Sequence, residues 1–109
     1  MMCRTFFHLT ALGEEVSSNE PLALPSERLW DDLVAELDGE DDFIGLLDAE
    51  DNVLQIMRRD DGYWVELPRF ADRTSLGRMM NEDELQALLS RLPPRFVQRH
   101  FPDFQSHPW

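Results

Sequence analysis

Short runs of apolar residues separated by turn residues dominate the chain, a pattern typical of β-strands. The first run, residues 3–12, is rich in β-branched and aromatic side chains and ends before Gly13, and it predicts an opening strand. Three more runs, residues 42–49, 52–59 and 62–68, follow at hairpin spacing. The turn before the last of them contains Gly62, which is expected to accept a positive φ. Together they predict an antiparallel meander.

Two other segments have the spacing of an amphipathic helix. After a connecting loop over residues 14–25, Ser26 is expected to cap a helix that ends at Gly39. Further along, Asn81 and Glu84 have the spacing of a capping box, which predicts a second helix. The expected buried stripes are Leu29, Trp30, Leu33, Val34 and Leu37 in the first helix, and Leu85, Leu88, Leu89 and Leu92 in the second.

The C-terminal segment starts after Pro93 and Pro94, which are expected to stop the second helix. Residues 95–109 are too aromatic for a solvated tail, so they form a short helix, return to the sheet or dock on a partner. One more strand is expected over residues 74–80. The sequence thus predicts one α+β domain over residues 1–109. It consists of an antiparallel β-meander of four to five strands packed against two helices, in the order β-α-β-β-β-β-α, plus an aromatic C-terminal tail.

Composition and charge narrow the classes of function. The 109 residues are 42% hydrophobic and suit one folded domain. Their net charge is −12, and residues 14–66 hold 17 acids against three arginines, whereas residues 67–109 are nearly neutral. Such a charge repels nucleic acid and anionic lipid, and it attracts a basic protein partner. The simpler alternative is that the acids only keep the protein soluble.

Catalytic and metal-binding patterns are weak. Residues 48–59 begin like a calcium loop, but Val53 stands where glycine is needed and Arg59 where a bidentate glutamate is needed. Cys3, the sole cysteine, and His8 are an odd interval apart, so a strand directs them to opposite faces. We therefore expect no metal, no cofactor and no enzymatic activity. No stretch is apolar enough for a membrane span and no secretory leader is visible, so a cytoplasmic protein is expected.

One strand places an aromatic side chain beside a carboxylate. Trp64 and Glu66 are expected on one face of the strand, with Tyr63, Val65 and Leu67 on the other. A rigid aromatic anchor within a charged rim suits recognition of a basic protein, although Trp64 packed beneath a helix is the alternative. The predicted partner-binding residues are Asp48, Glu50, Asp51, Asp60, Asp61, Trp64 and Glu66.

About half of the chain resembles a known family. The stretch FIGLLDAEDNVLQIMRRDDGYWVELPR, followed by a loop, a short strand and the capped helix NEDELQALLSRL, is similar to the small immunity proteins of bacterial toxin systems, in particular the Imm1-like group. The resemblance implies an α+β fold with an acidic surface that binds and blocks a cognate toxin, commonly a nuclease or deaminase with a basic cleft.

Two functions are therefore expected from the sequence. The first is a non-enzymatic inhibitor, or immunity protein, that occludes a basic toxin or nucleic-acid-processing enzyme through its acidic surface. The alternative is an adaptor or chaperone-like module that binds proteins through the aromatic tail and a sheet edge. The oligomeric state stays open at this stage.

Overall fold

A single antiparallel sheet organises the chain, which the computed structural model describes over residues 2–109. Eight strands in this part of the chain form the sheet, in the order β2-β1-β4-β5-β6-β7-β8, and β3 also pairs with β1. The strands are β1 (Met2–Leu9), β2 (Glu14–Val16), β3 (Leu22–Pro25), β4 (Phe43–Leu47), β5 (Val53–Arg59), β6 (Gly62–Arg69), β7 (Thr74–Met80) and β8 (Gln105–Pro108). The predicted α+β class is confirmed, but four to five strands understates the sheet.

The additional strands lie mainly where a loop was expected. Within residues 14–25, β2 pairs with the second half of β1 and β3 pairs with its first half, so two short strands share one edge of the sheet. Their sequences have three and four residues and include acids and a proline, which hides the strand pattern. The expectation of an unstructured connection is therefore wrong.

The first predicted helix is broken into short pieces. Helix α1 spans only Leu29–Asp32, with 3₁₀ turns before and after it, and Leu33 leaves helical geometry. Ser26 makes no capping hydrogen bond, so its predicted role is wrong. The expected apolar stripe still faces the core, because Leu33 and Val34 are buried. The spacing thus predicted burial correctly and helix continuity wrongly.

The second helix matches its prediction. Helix α2 spans Glu82–Ser90, and the side chain of Asn81 accepts a hydrogen bond from the backbone N–H of Glu84 at 2.8 Å. The Glu84 carboxylate accepts one in return from the backbone N–H of Asn81 at 3.0 Å, which completes the capping box. Leu85 and Leu89 are buried on its inner face.

The two faces of the sheet differ in their cover. One face packs against the helices and the C-terminal segment, and its side chains form the core. The opposite face, called here the open face, carries no helix, so most of its side chains are half-buried or exposed. The strand register places these side chains on the open face: Arg4, Phe6, His8, Phe43, Leu47, Val53, Gln55, Met57, Arg59, Trp64, Glu66, Ser75, Met79 and His107.

The aromatic C-terminal segment belongs to the core. Phe96, Phe101 and Phe104 are buried, and the chain then adds β8 to the edge of the sheet beside β7. Of the alternatives left by the sequence, the segment therefore returns to the sheet. Among residues 2–109, no helix is long and apolar enough to cross a bilayer.

The β5–β6 turn differs from its expected geometry. Asp60, not Gly62, adopts the positive φ, at 49°. Gly62 is required for space instead, because a Cβ there would lie 2.8 Å from the carbonyl oxygen of Met80. The hairpin itself is confirmed, with Arg59 paired to Gly62.

Candidate functional site

Acidic residues gather at one end of the sheet. The β5–β6 turn leaves the sheet at the same end as the start of α2, because Tyr63 pairs with Met80 in the β6–β7 register. The residues before β4 reach this end too, where Glu40, Asp41 and Asp60 line one depression of about 320 Å³. We define the acidic end by six exposed residues: Glu40, Asp41, Asp60, Asp61, Glu82 and Asp83.

The carboxylates of the acidic end lack cationic partners. Within residues 2–109, none of the six forms an ion pair. Two arginines lie at this end without forming an ion pair: the guanidinium of Arg58 lies 4.9 Å from the ring centroid of Tyr63, and Arg59 donates to the backbone carbonyl of Glu40 at 3.2 Å. Both line the same depression as the acids, so six carboxylates face two guanidinium groups and an excess of negative charge remains at this end.

Acids at the other end of the sheet are paired. Arg95 Nη2 lies 2.6 Å from Glu50 Oε1, and Arg4 Nη2 lies 2.8 Å from Asp51 Oδ1. These exposed pairs cancel most of the local field. The two ends are separated by the length of β5, about 20 Å for seven residues. The seven predicted contact residues therefore do not form one patch.

The side chain of Asp48 has a structural role. It is 6% exposed, and its two oxygens accept four hydrogen bonds, from the backbone N–H groups of Glu50, Asn52 and Phe96 and from the Asn52 side chain. Burial alone would raise the pKa of Asp48, but these hydrogen bonds lower it below its usual range. Asp48 thus organises the β4–β5 turn, and a partner does not reach its carboxylate.

Trp64 and Glu66 lie on the open face, as the alternation predicts. Trp64 Nε1 donates to Glu66 Oε1 at 2.8 Å, and the Ser75 hydroxyl donates to Glu66 Oε2 at 2.6 Å. The indole N–H of Trp109 donates in turn to the Ser75 hydroxyl at 2.9 Å. The chain of hydrogen bonds occupies both oxygens of Glu66 and fixes the indole of Trp64. Trp64 is only half-buried and does not pack beneath a helix.

Two glycines allow aromatic rings to lie against the open face. A Cβ on Gly45 would be 2.1 Å from the ring of Phe6, and one on Gly77 would be 2.6 Å from the ring of Trp64. Each ring therefore occupies the space above a glycine of a neighbouring strand and shields that glycine. The sequence indicated that this face is partly apolar, since the strands carry apolar residues at core-facing positions and also at the alternate positions, for example at Met57 and Met79.

One corner of the open face is concave. A depression of about 570 Å³ lies between the sheet and the loop that joins β2 to β3, with Phe6, Val53 and Phe70 among its apolar lining residues. Phe70 is 70% exposed and contacts Trp109 edge to face, with 5.6 Å between ring centroids. Exposed aromatic side chains of this size mark surfaces that bind other molecules.

The residues considered for catalysis or metal binding are dispersed. Cys3 is buried on the helix-covered face, where desolvation raises the pKa of its thiol, while His8 lies on the open face, stacked on Phe43. The prediction that the two side chains point to opposite faces is confirmed. Among residues 2–109, no group of three or more His, Cys, Asp and Glu side chains is arranged to hold a metal ion.

Comparison with protein-family models, with curated proteins and with solved structures gives no match. The acidic end and the open face are therefore the features of the molecule that bear on its function. Of the predicted contact residues, Asp60 and Asp61 lie at the acidic end and Trp64 lies on the open face. The sequence did not indicate that Glu40, Asp41, Glu82 and Asp83 lie beside Asp60, because grouping these residues requires the strand order.

Proposed function

We propose that this protein is a non-enzymatic inhibitor that binds a basic protein through its acidic end and covers the functional cleft of that protein. The carrying observation is the group of exposed carboxylates without ion-pair partners in the described chain, all at one end of the sheet. A toxin or another nucleic-acid-processing enzyme has the complementary surface, since its cleft must attract phosphates.

The contrast between the two ends of the sheet supports this proposal. If acidity served solubility alone, exposed acids would be expected to mix with bases over the whole surface. Instead, Glu50 and Asp51 are paired with arginines, whereas Asp60 and Asp61 are not. Unpaired like charges placed together raise the free energy of the isolated protein and are offset when a cationic partner binds.

The shape of the acidic end also suits occlusion. Asp60 and Asp61 form the tip of a two-residue hairpin turn, held by β5 and β6 in the middle of the sheet. A tip on a rigid scaffold enters a cleft with little loss of conformational entropy. Glu82 and Asp83 flank it in the first turn of α2, where negative charge also stabilises the helix.

The adaptor alternative now depends on a sheet edge and on Trp109, the exposed aromatic residue of the tail. The aromatic residues Phe96, Phe101 and Phe104 are buried and cannot serve as a docking tail. The outer edge of β8 is exposed, but the strand is four residues long and includes Pro108, which lacks a backbone N–H. The inhibitor is therefore the function we propose.

Capture from a lysate of the source cells tests the proposal. The immobilised protein is expected to retain one basic enzyme at low salt and to release it as salt rises, because exposed charges are screened within about 8 Å at physiological ionic strength. The double variant Asp60→Lys/Asp61→Lys is expected to lose this enzyme, and inhibition of the captured enzyme by the wild-type protein then shows occlusion.

A control with the same net charge separates a local effect from a general one. Glu20→Lys/Asp72→Lys reverses two exposed acids outside the acidic end and should retain the enzyme. Equal loss of the enzyme from both double variants would contradict a role for the acidic end. Retention of an acidic protein whose binding is insensitive to salt would contradict the inhibitor proposal.

A further inference from the structure

The open face is chemically unlike the acidic end. Its central side chains, among them Gln55, Met57 and Trp64, are uncharged. Its charged side chains include Arg4, which is paired with Asp51, and Glu66, whose oxygens are both occupied. A basic surface would gain little electrostatic energy there, so the open face calls for a different partner from the acidic end.

The extent of the open face suits a protein interface. Seven strand positions at about 4.8 Å spacing and strands of about 20 Å give roughly 600 Å² of surface for each chain. A standard interface buries about 800 Å² on each partner, so a partner that covers the whole face and its rim reaches that size. The rings of Phe6 and Trp64 fill the space above Gly45 and Gly77, so side chains cover the face at these two glycines as well, and sheets that pack face to face lie about 10 Å apart.

We propose that the open face binds the open face of a second copy of this chain. A surface of mixed apolar and polar side chains with little net charge is not repelled by a surface of the same character, which a second copy supplies through an isologous interface. The proposal does not depend on the partner of the acidic end, since none of the six residues of that end is among the open-face side chains.

Charge decides the relative orientation of the two copies. Parallel strands across the interface would bring the two acidic ends together, and like charges would oppose association. Antiparallel strands place each acidic end at the opposite end of the other sheet, where Arg69 and Arg73 flank the β6–β7 turn and Arg69 is paired with Asp72, so that end lacks an excess of negative charge. The dimer axis then lies between the sheets and perpendicular to the strands.

The molar mass of the full-length protein in solution tests the proposal. Sedimentation equilibrium over a dilution series is expected to give the mass of two chains at high concentration, with Met57→Lys shifting the protein to one chain because it places a cation at the centre of each face. Circular dichroism establishes that this variant is folded. If Met57→Lys does not fold, the matched pair Gln55→Lys and Gln86→Lys decides the question.

Gln55 lies half-buried on the open face and Gln86 on the exposed side of α2, so the two variants make the same exchange of glutamine for lysine on the face and away from it. Gln55→Lys is expected to weaken the dimer at least tenfold and Gln86→Lys to leave it unchanged. A single-chain mass at every concentration would overturn the proposal. A dimer that Gln55→Lys and Met57→Lys leave intact would also overturn it, because a dimer of that kind uses another surface.

Discussion

The Asp48 carboxylate accepts a hydrogen bond of 2.8 Å from the backbone N–H of Phe96, and this contact joins the β4–β5 turn to the start of the C-terminal segment. The same carboxylate holds the turn itself through Glu50 and Asn52. A residue that the sequence suggests as a partner contact therefore serves as an anchor between two distant parts of the chain. Its removal should affect folding before it affects binding.

Replacement of Asp48 by asparagine should destabilise the fold. Each carboxylate oxygen of Asp48 accepts two hydrogen bonds. In either orientation of the asparagine side chain, its NH₂ group replaces one of these oxygens and faces two N–H donors, so two hydrogen bonds to a charged group are lost. We expect the free energy of unfolding in urea to fall by about 2 kcal/mol. Asp51→Asn is the control, because Asp51 is exposed and asparagine tolerates its positive φ of 64°. Equal effects of the two variants would contradict this role for Asp48.

The stability of the fold should decline in acid through Asp42. Asp42 is 1% exposed. Its burial would raise the pKa of Asp42, but hydrogen bonds from the Thr10 hydroxyl and from the backbone N–H groups of Gly39, Thr10 and Asp38 hold it at about 2, below the ordinary 3.8. A carboxyl with a lowered pKa stabilises the folded state only while it is ionised. This contribution is complete above the ordinary value and disappears as the pH falls toward 2.

Urea unfolding across this pH range measures the contribution of Asp42. The wild-type protein should lose more stability between neutral pH and about pH 2 than Asp42→Asn loses, since the variant has no proton to bind at this position. Parallel losses in the two proteins would show that other carboxyls cause the decline.

The C-terminal segment should behave as core rather than as a docking tail. Phe104 is buried, so Phe104→Ala is expected to cost about 3–5 kcal/mol, a large part of the stability of a small domain. Trp109 is 58% exposed, so Trp109→Ala should cost no more than about 1 kcal/mol. Thermal unfolding of the two variants gives the comparison. If the Phe104→Ala protein is as stable as the wild type, this segment is not part of the core and becomes a candidate binding surface again.

Gly77 should be needed to hold Trp64 against the sheet. A Cβ at this position meets both the indole of Trp64 and the carbonyl oxygen of Val65, at 2.6 and 2.8 Å. Gly77→Ala is expected to displace the indole into water, to shift tryptophan emission to longer wavelength and to lower stability by about 1–3 kcal/mol. Gly13→Ala is a useful comparison, because nothing lies within 4 Å of a Cβ there and only its positive φ is strained. An unchanged emission spectrum for Gly77→Ala would contradict the account of this contact.

Local patterns were sufficient for the elements with strong signals. The capping box of Asn81 and Glu84 fixed the start of α2, and strict alternation separated Trp64 from the core residue Val65. The region around Leu33 shows the limit of such patterns. Its apolar spacing predicts which side faces the core, but packing against the sheet decides whether the backbone there is helical.

The candidate site depended more on tertiary structure. The sequence locates the excess acid in residues 14–66 but does not show which acids share a surface. That depends on strand direction: Asp51 and Asp60 are close in sequence, yet they lie at opposite ends of β5. Asp83 is distant from Asp60 in sequence and lies at the same end of the sheet, because β7 returns beside β6.

The rate of association between this protein and the basic enzyme proposed as its partner tests the central claim most directly. Stopped-flow measurements at increasing ionic strength should give a steep fall in the rate constant for the wild-type protein. Asp60→Lys/Asp61→Lys should associate at least about tenfold more slowly at low salt, and the two rates should converge at high salt. Equal rate constants for both proteins at low salt would contradict the claim that the acidic end guides and forms the contact.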